Sequence, residues 1–224
     1  MVYGIFVLYI ALVLAVDGLG IARPGQYLLG GSTLLFLLLL ARRSPSHERR
    51  EMWFCVAFST LVELGCTQLW GLYAYRLGNV PAFVPPGHGL IFLVAAQASR
   101  ERRVVAHGRA LALATIGIAT VVGGRGLLAG DVHGAIYWPF FVGFLGWSRK
   151  APVHAITFVI TTALEHAGVA FGNWTWARTV PGLGLSSSDP PSLIAGGYCM
   201  FAVVATGLAG LSYVPGATRT KRCS

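Results

Sequence analysis

Charge is scarce in this chain. Only 11% of its 224 residues are Asp, Glu, Lys or Arg, against about 25% in soluble globular proteins, which excludes an ordinary water-facing globule. No long polar segment remains once the apolar runs are marked, so a separate extramembrane domain is not expected. The four cysteines (Cys55, Cys66, Cys199, Cys223) show no CxxC and no Cys/His ligand spacing. Three lie in apolar runs, which points to packing rather than to a metal or a disulfide. Gly123-Gly124-Arg125-Gly126 lacks the preceding strand and the lysine of a phosphate-binding loop. Nothing signals a metal, a nucleotide or a redox cofactor, and the expected cofactor set is none. The first apolar run, Val2 to Ala22, has no basic leader and no A-x-A-like site, so it reads as a retained span rather than a cleaved signal.

What the chain has in abundance is apolar sequence: 55% of residues are hydrophobic and the mean hydropathy is +0.66. Apolar runs lie near residues 2–22, 26–41, 52–75, 84–98, 104–122, 135–147, 152–172 and 193–213; a bilayer-crossing helix needs about 17 to 25 residues. The fold class expected is therefore all-α, a polytopic membrane helix bundle of about eight spans. The net charge of +9 does not imply nucleic acid, because the basic residues segregate. With eight spans, thirteen of the seventeen fall on one side and four (Arg23, Arg76, Arg125, Arg178) on the other. The positive-inside rule then puts both termini in the cytoplasm of a multi-pass protein of the cell membrane.

Two stretches carry the polar content of the apolar runs. Ser59 and Thr60 precede Glu63; Thr161 and Thr162 precede Glu165. Each glutamate is followed by aromatic-Gly-x-aromatic-x-aromatic, first Trp70, Gly71, Tyr73, Tyr75, then Phe171, Gly172, Trp174, Trp176, and by a proline pair, Pro85-Pro86 or Pro190-Pro191. The match needs a one-residue gap after the glutamate. It reads as an internal duplication, with residues 1–103 and 104–214 as two parallel four-span repeats and 215–224 as a cytoplasmic tail. Parallel repeats are related by an axis along the membrane normal and place ligand sites at their interface, so a cavity open toward the outer leaflet is expected there, faced by Glu63 and Glu165. Glu63 sits about ten residues from each end of its run, near mid-membrane at ~1.5 Å per residue. A carboxylate at that depth must be paired, hydrated or protonated, and a protonated one is a proton donor.

Other polar residues are assigned more ordinary places. Asp17 is read as an interfacial charge reaching water, Arg42 to Glu51 as a cytoplasmic loop without chemistry, and His107 and Arg109 as snorkelling residues. Asp189 suits a helix cap or turn. His166 points about 100° from Glu165 on a helix. Gly87-His88-Gly89 follows two prolines and reads as an irregular start to the fourth span, with His88 either serving a cavity or making a structural hydrogen bond. Trp70, Tyr73, Tyr75, His88, Asn173, Trp174, Trp176 and Asp189 are the candidate substrate-binding residues, and Glu63 and Glu165 the candidate catalytic pair.

Deep carboxylates among aromatic rings suit acid chemistry on an apolar substrate. A protonated Glu can donate to a carbon–carbon double bond or an epoxide, and ring faces stabilise the carbocation by about 2 kcal/mol or more when desolvated. In length, span count and a deep glutamate in its third span, the chain resembles the small integral-membrane terpene cyclases of meroterpenoid and indole-terpenoid pathways. That resemblance implies a cofactor-independent enzyme with two membrane acidic residues in protonation: Glu63, and either Glu165 or Asp189. Trp70-Gly71-Leu72-Tyr73-Ala74-Tyr75 also resembles, more weakly, the aromatic-Gly-x-Tyr-x-Tyr motif of carotenoid hydratases. The expectation is acid-initiated cyclisation or hydration of a lipophilic isoprenoid drawn from the bilayer, with no nucleic-acid partner. Two alternatives stay open: a proton-coupled carrier, and a structural membrane subunit whose glutamates only bond helices together.

Overall fold

A computed structural model describes residues 2–148 and 150–211. It is all-helical, with 75% of residues in eight helices. In chain order these are α1 (Val2–Gly18), α2 (Arg23–Ala41), α3 (Ser46–Leu64), α4 (Val84–Ala98), α5 (Arg102–Leu128), α6 (Val132–Trp147), α7 (Ala151–Ala170) and α8 (Ile194–Leu211). A π-helical turn, Gly65–Trp70, continues α3, and two three-residue strands, β1 (Tyr73–Tyr75) and β2 (Trp174–Trp176), complete the described structure. The tail assigned to residues 215–224, with Cys223, lies outside the described residues.

The helices start where proline permits. Pro24, Pro85, Pro86 and Pro152 occupy first turns, where a missing N–H costs nothing and φ is already helical. Five helices are long and apolar enough to cross a membrane: α2, α3 with its π turn, α5, α7 and α8, of 18 to 27 residues. Leu8, Leu12, Leu35, Leu61, Leu113, Ile118 and Val159 lie bare on the outside, a surface suited to lipid rather than water. The protein is a membrane protein on these grounds.

At the centre α3 and α7 each pack against both α4 and α8, with α2 and α6 outside them. In contrast, α5 lies along α6 and α7, whereas α1 touches α2 and α7 only lightly. Four expectations are corrected here. The fourth run does not start irregularly: α4 is helical from Val84 through Gly87-His88-Gly89, its prolines falling in the first turn. The segment Arg42 to Glu51 is not a free loop: α3 starts at Ser46, and its buried Glu48 and Glu51 pair with Arg100 and with Lys150, the latter at 2.7 Å. The run 52–75 is not one helix, because Tyr73 and Tyr75 belong to a strand. Asp17 does not reach water. It is fully buried and bonded by Arg76 (3.0 Å), Gln26 (2.8 Å) and Asn173 (2.9 Å). Its charge is balanced by a residue 59 positions away, a distance that the local pattern does not reveal.

The strands form an antiparallel ribbon with Tyr73 opposite Trp176 and Tyr75 opposite Trp174. Arg76 N to Asn173 O (2.9 Å) and Ala177 N to Leu72 O (3.0 Å) extend it. Gly71 (φ 71°) and Gly172 (φ 72°) precede the strands. Their left-handed conformation, open to glycine without steric cost, turns each chain out of its helix. The one-residue gap between the two stretches coincides with the π turn, where bonding to the fifth residue on absorbs one extra residue without breaking the helix. The loop after β2 is gathered by Asp131, whose carboxylate accepts from the amides of Gly134 (2.9 Å), Ser188 (3.1 Å) and Ser192 (2.6 Å) and from the Ser188 hydroxyl (2.7 Å).

Candidate active site

Side chains alternate across a strand, so Tyr73, Tyr75, Trp174 and Trp176 share one face of the ribbon while Ala74 and Thr175 are exposed on the other. Beneath that face lie the two glutamates, 3% and 2% exposed. Tyr73 OH (2.6 Å) and Tyr75 OH (2.7 Å) both donate to Oε2 of Glu63. Trp174 Nε1 (3.0 Å) and Trp176 Nε1 (3.2 Å) both donate to Oε2 of Glu165. Each glutamate thus takes its pair of donors from the strand that follows it in the chain.

The second oxygen of each carboxylate meets the helix after that strand. Nε2 of His88 lies 3.0 Å from Oε1 of Glu63, and the Tyr198 hydroxyl donates to Oε1 of Glu165. His88 is the fifth residue of α4 and Tyr198 the fifth of α8. Their rings stack on one another at 5.3 Å and 30°, so the two carboxylates are joined through a single stacked pair. Tyr73 also packs on Trp176 (4.4 Å) and Tyr75 on Trp174 (5.9 Å). Trp174 fits because Gly168 leaves the space its indole fills; a Cβ there would collide with the ring.

An indole N–H only donates, so Oε2 of Glu165 is an acceptor twice over and any carboxyl proton sits on Oε1, shared with Tyr198. Glu63 differs in facing His88, the one partner of either carboxylate that can become a cation. The arrangement therefore sets one carboxyl against a phenol and the other against an imidazole base.

A cleft of ≈ 50 Å³ adjoins the pair. Glu165, Tyr73, Tyr75, His88, Trp174, Trp176 and Tyr198 form its ring-rich wall, and Ile10, Val13 and Leu14 of α1 its apolar wall. The sequence pattern has both glutamates facing the cavity. Glu165 lines it, whereas Glu63 stands behind Tyr73, Tyr75 and His88, which do. Three candidate binding residues lie elsewhere. Trp70 is exposed and donates to Pro181 O (2.8 Å). Asn173 is committed to Leu14 O and Asp17, and Asp189 accepts from the Trp176 amide (3.1 Å). All three hold the ribbon and its loop in place. His166 bonds to Thr162 O within its own helix. Tyr198 is the residue that the sequence pattern did not bring out. Its signal was its position, five residues into its helix, matching His88.

Among the described residues no group of three or more His, Cys, Asp or Glu is placed to hold a metal ion. In comparisons with protein-family models, with curated proteins and with solved structures, the chain matches none.

Proposed function

We propose that this protein is an integral membrane enzyme that starts a cyclisation or hydration of a lipophilic isoprenoid by protonating it. Glu165 is the acid, and Glu63 with His88 takes up the proton released later. The observation that carries the reading is Glu165 itself. It is a buried carboxyl opening onto a cleft walled by aromatic rings, with a second carboxylate one His–Tyr stack away. Donation from Glu165 turns the π pair of a substrate double bond into a new C–H bond. The cation is held by the faces of Tyr73, Trp174 and Trp176. It ends by losing a proton, whose electron pair becomes a new double bond, or by adding water. The resemblance to membrane terpene cyclases supports the substrate class.

We also read the eight helices as eight spans in two parallel four-helix halves with both termini cytoplasmic. The support is the ribbon pairing of the two matching stretches, the crossed packing of α3 on α8 and α7 on α4, and the thirteen-to-four charge segregation. The cleft, at ≈ 50 Å³, is far below the roughly 300 to 1,000 Å³ of ligand pockets, so substrate admission requires a wall to move; we assign this to the part of α1 before Leu14, since Leu14 and Asp17 pin its other end to Asn173, Gln26 and Arg76. A small cleft between two halves also favours the second reading, a proton-coupled carrier.

The test is product analysis by mass spectrometry after expression in a host supplied with prenylated and epoxidised terpenoid precursors. A product of unchanged mass and new retention marks cyclisation; a gain of one water marks hydration. If no precursor changes while reconstituted vesicles show substrate-dependent proton flux, the carrier reading replaces the enzyme.

A further inference from the structure

On the side of the site away from the cleft, α7 carries a buried polar stripe: His154, Thr157, Thr161 and Glu165, all on one helix face. His154 is 2% exposed and its Nδ1 has no hydrogen-bond partner; Thr157 is 4% exposed and its Oγ1 has none either. Buried polar atoms left bare in a protein interior are commonly satisfied by ordered water. The space for it is there. A cavity of ≈ 10 Å³ is lined by Thr157, Cys55, His88, Tyr198 and Phe201, and about 10 to 15 Å³ accommodates one water. It touches the two residues that bond the carboxylates.

The stripe also has an outside opening. A groove of ≈ 650 Å³ between α6, α7 and α8 is lined by Phe144, Trp147, Ser148, Lys150, His154 and Thr206. Nε2 of His154 is engaged by the Ser148 hydroxyl at 3.0 Å. Lys150 is held by Glu51 and Thr206 at the same end. The groove reaches His154 and the cavity reaches Thr157, His88 and Tyr198; the two share no lining residue, and His154 and Thr157, one turn apart on α7, stand between them.

We propose that groove, His154, Thr157 and cavity together form a water-filled proton path, entering at the Lys150 end of α7 and ending on His88 and Tyr198, separate from the substrate cleft. Its role rests on the enzyme reading above. In a cyclisation Glu165 loses one proton to carbon and the Glu63–His88 pair gains one from carbon, so net consumption is zero but the pair ends reversed. The path restores it by carrying one proton out from His88 and one in to Glu165 through Tyr198. The apolar cleft can then stay free of solvent that would quench a carbocation early.

The experiment is hydroxyl-radical footprinting of the full chain in nanodiscs, in ¹⁸O-labelled water, read at Cys55, Tyr198 and Phe201. In the wild type these buried residues take up label. Thr157→Val, which keeps the shape and removes the hydroxyl, lowers their labelling at least fivefold, and Thr157→Ser restores it. Should Thr157→Val fail to insert, His154→Leu gives the same loss. No label at these residues in the wild type, or label unchanged by removing the hydroxyl, overturns the path. Labelling as expected in a protein that forms no product leaves the path standing and removes the enzyme reading.

Discussion

The two carboxylate cages share a frame and differ in chemistry. In both, a glutamate on a long helix accepts two bonds from alternate residues of the following strand and meets the fifth residue of the next helix. Around Glu63 the partners are two phenols and an imidazole; around Glu165 they are two indoles and a phenol. Indoles are larger, and Gly168 makes room for one of them. The difference teaches that position and role are set separately. The backbone fixes where the carboxylates stand, and the identity of a few rings decides which one can hold a charge beside an imidazole.

Replacing each carboxylate tests that division most severely. Glu165→Gln keeps an acceptor for the indoles and removes the proton, so product formation should fall by about 10³ to 10⁴, the upper end for general acid catalysis. Glu63→Gln should cost less, about 10² to 10³, because His88 remains as a base. Both variants should insert, and Glu63→Gln, which turns charge-assisted bonds into neutral ones, should melt lower than Glu165→Gln. A larger loss for Glu63→Gln in a turnover assay would reverse the assigned roles.

Equal deletions at the two cages give a smaller and cleaner contrast. Tyr75→Phe and Tyr198→Phe each remove one hydroxyl donated to a glutamate. A hydrogen bond to a charged group contributes about 1.5 to 3 kcal/mol and one to a neutral group about 0.5 to 1.5. If, as the proposed roles require, Glu63 is anionic and Glu165 protonated, Tyr75→Phe should destabilise the protein more in thermal unfolding. Equal losses would mean that the two carboxyls carry the same charge.

The smallest effect concerns the loops that brace the cages. Asp17, on the Glu63 side, is buried and ion-paired, while Asp131, bracing the loop after β2, lies between α5 and α6. Burial alone would push the Asp131 carboxyl up. The Ser192 amide, the Ser188 hydroxyl and the Gly134 amide outweigh it and hold the group below the usual carboxylate range. A value depressed by folding stabilises above the unfolded pKa of about 3.9 and is lost as pH falls through the folded value. The melting temperature should therefore decline below about pH 4, and Asp131→Asn should flatten that decline. An unchanged acid limb in Asp131→Asn would show that this loop does not limit stability.

Much of the framework was legible in the sequence because hydropathy and proline speak locally. Each of the eight apolar runs holds a helix, though 52–75 also holds a strand, and the run at 84–98 has the bounds of α4. The gap needed to match the two stretches had a physical meaning as the π turn. Strands three residues long leave too little alternation to be read inside an apolar run, so Tyr73 and Tyr75 looked like a helix end. Asp17 looked solvated because Arg76 and Asn173 are remote in sequence. Proline pairs were the wrong ruler for the second site. Counting from the helix starts aligns His88 with Tyr198, whereas aligning Pro85-Pro86 with Pro190-Pro191 does not.

The ribbon also acts mechanically. Backbone bonds from Leu72 to Ala177 and from Arg76 to Asn173 clasp the segments after α3 and α7 together, and Asp17 rivets the clasp to α1 and α2. A bundle in which the segments after α3 and α7 are buckled together cannot part there without breaking a sheet. Any guest that reaches Glu165 must arrive by a door hung elsewhere, with the buckle still fastened.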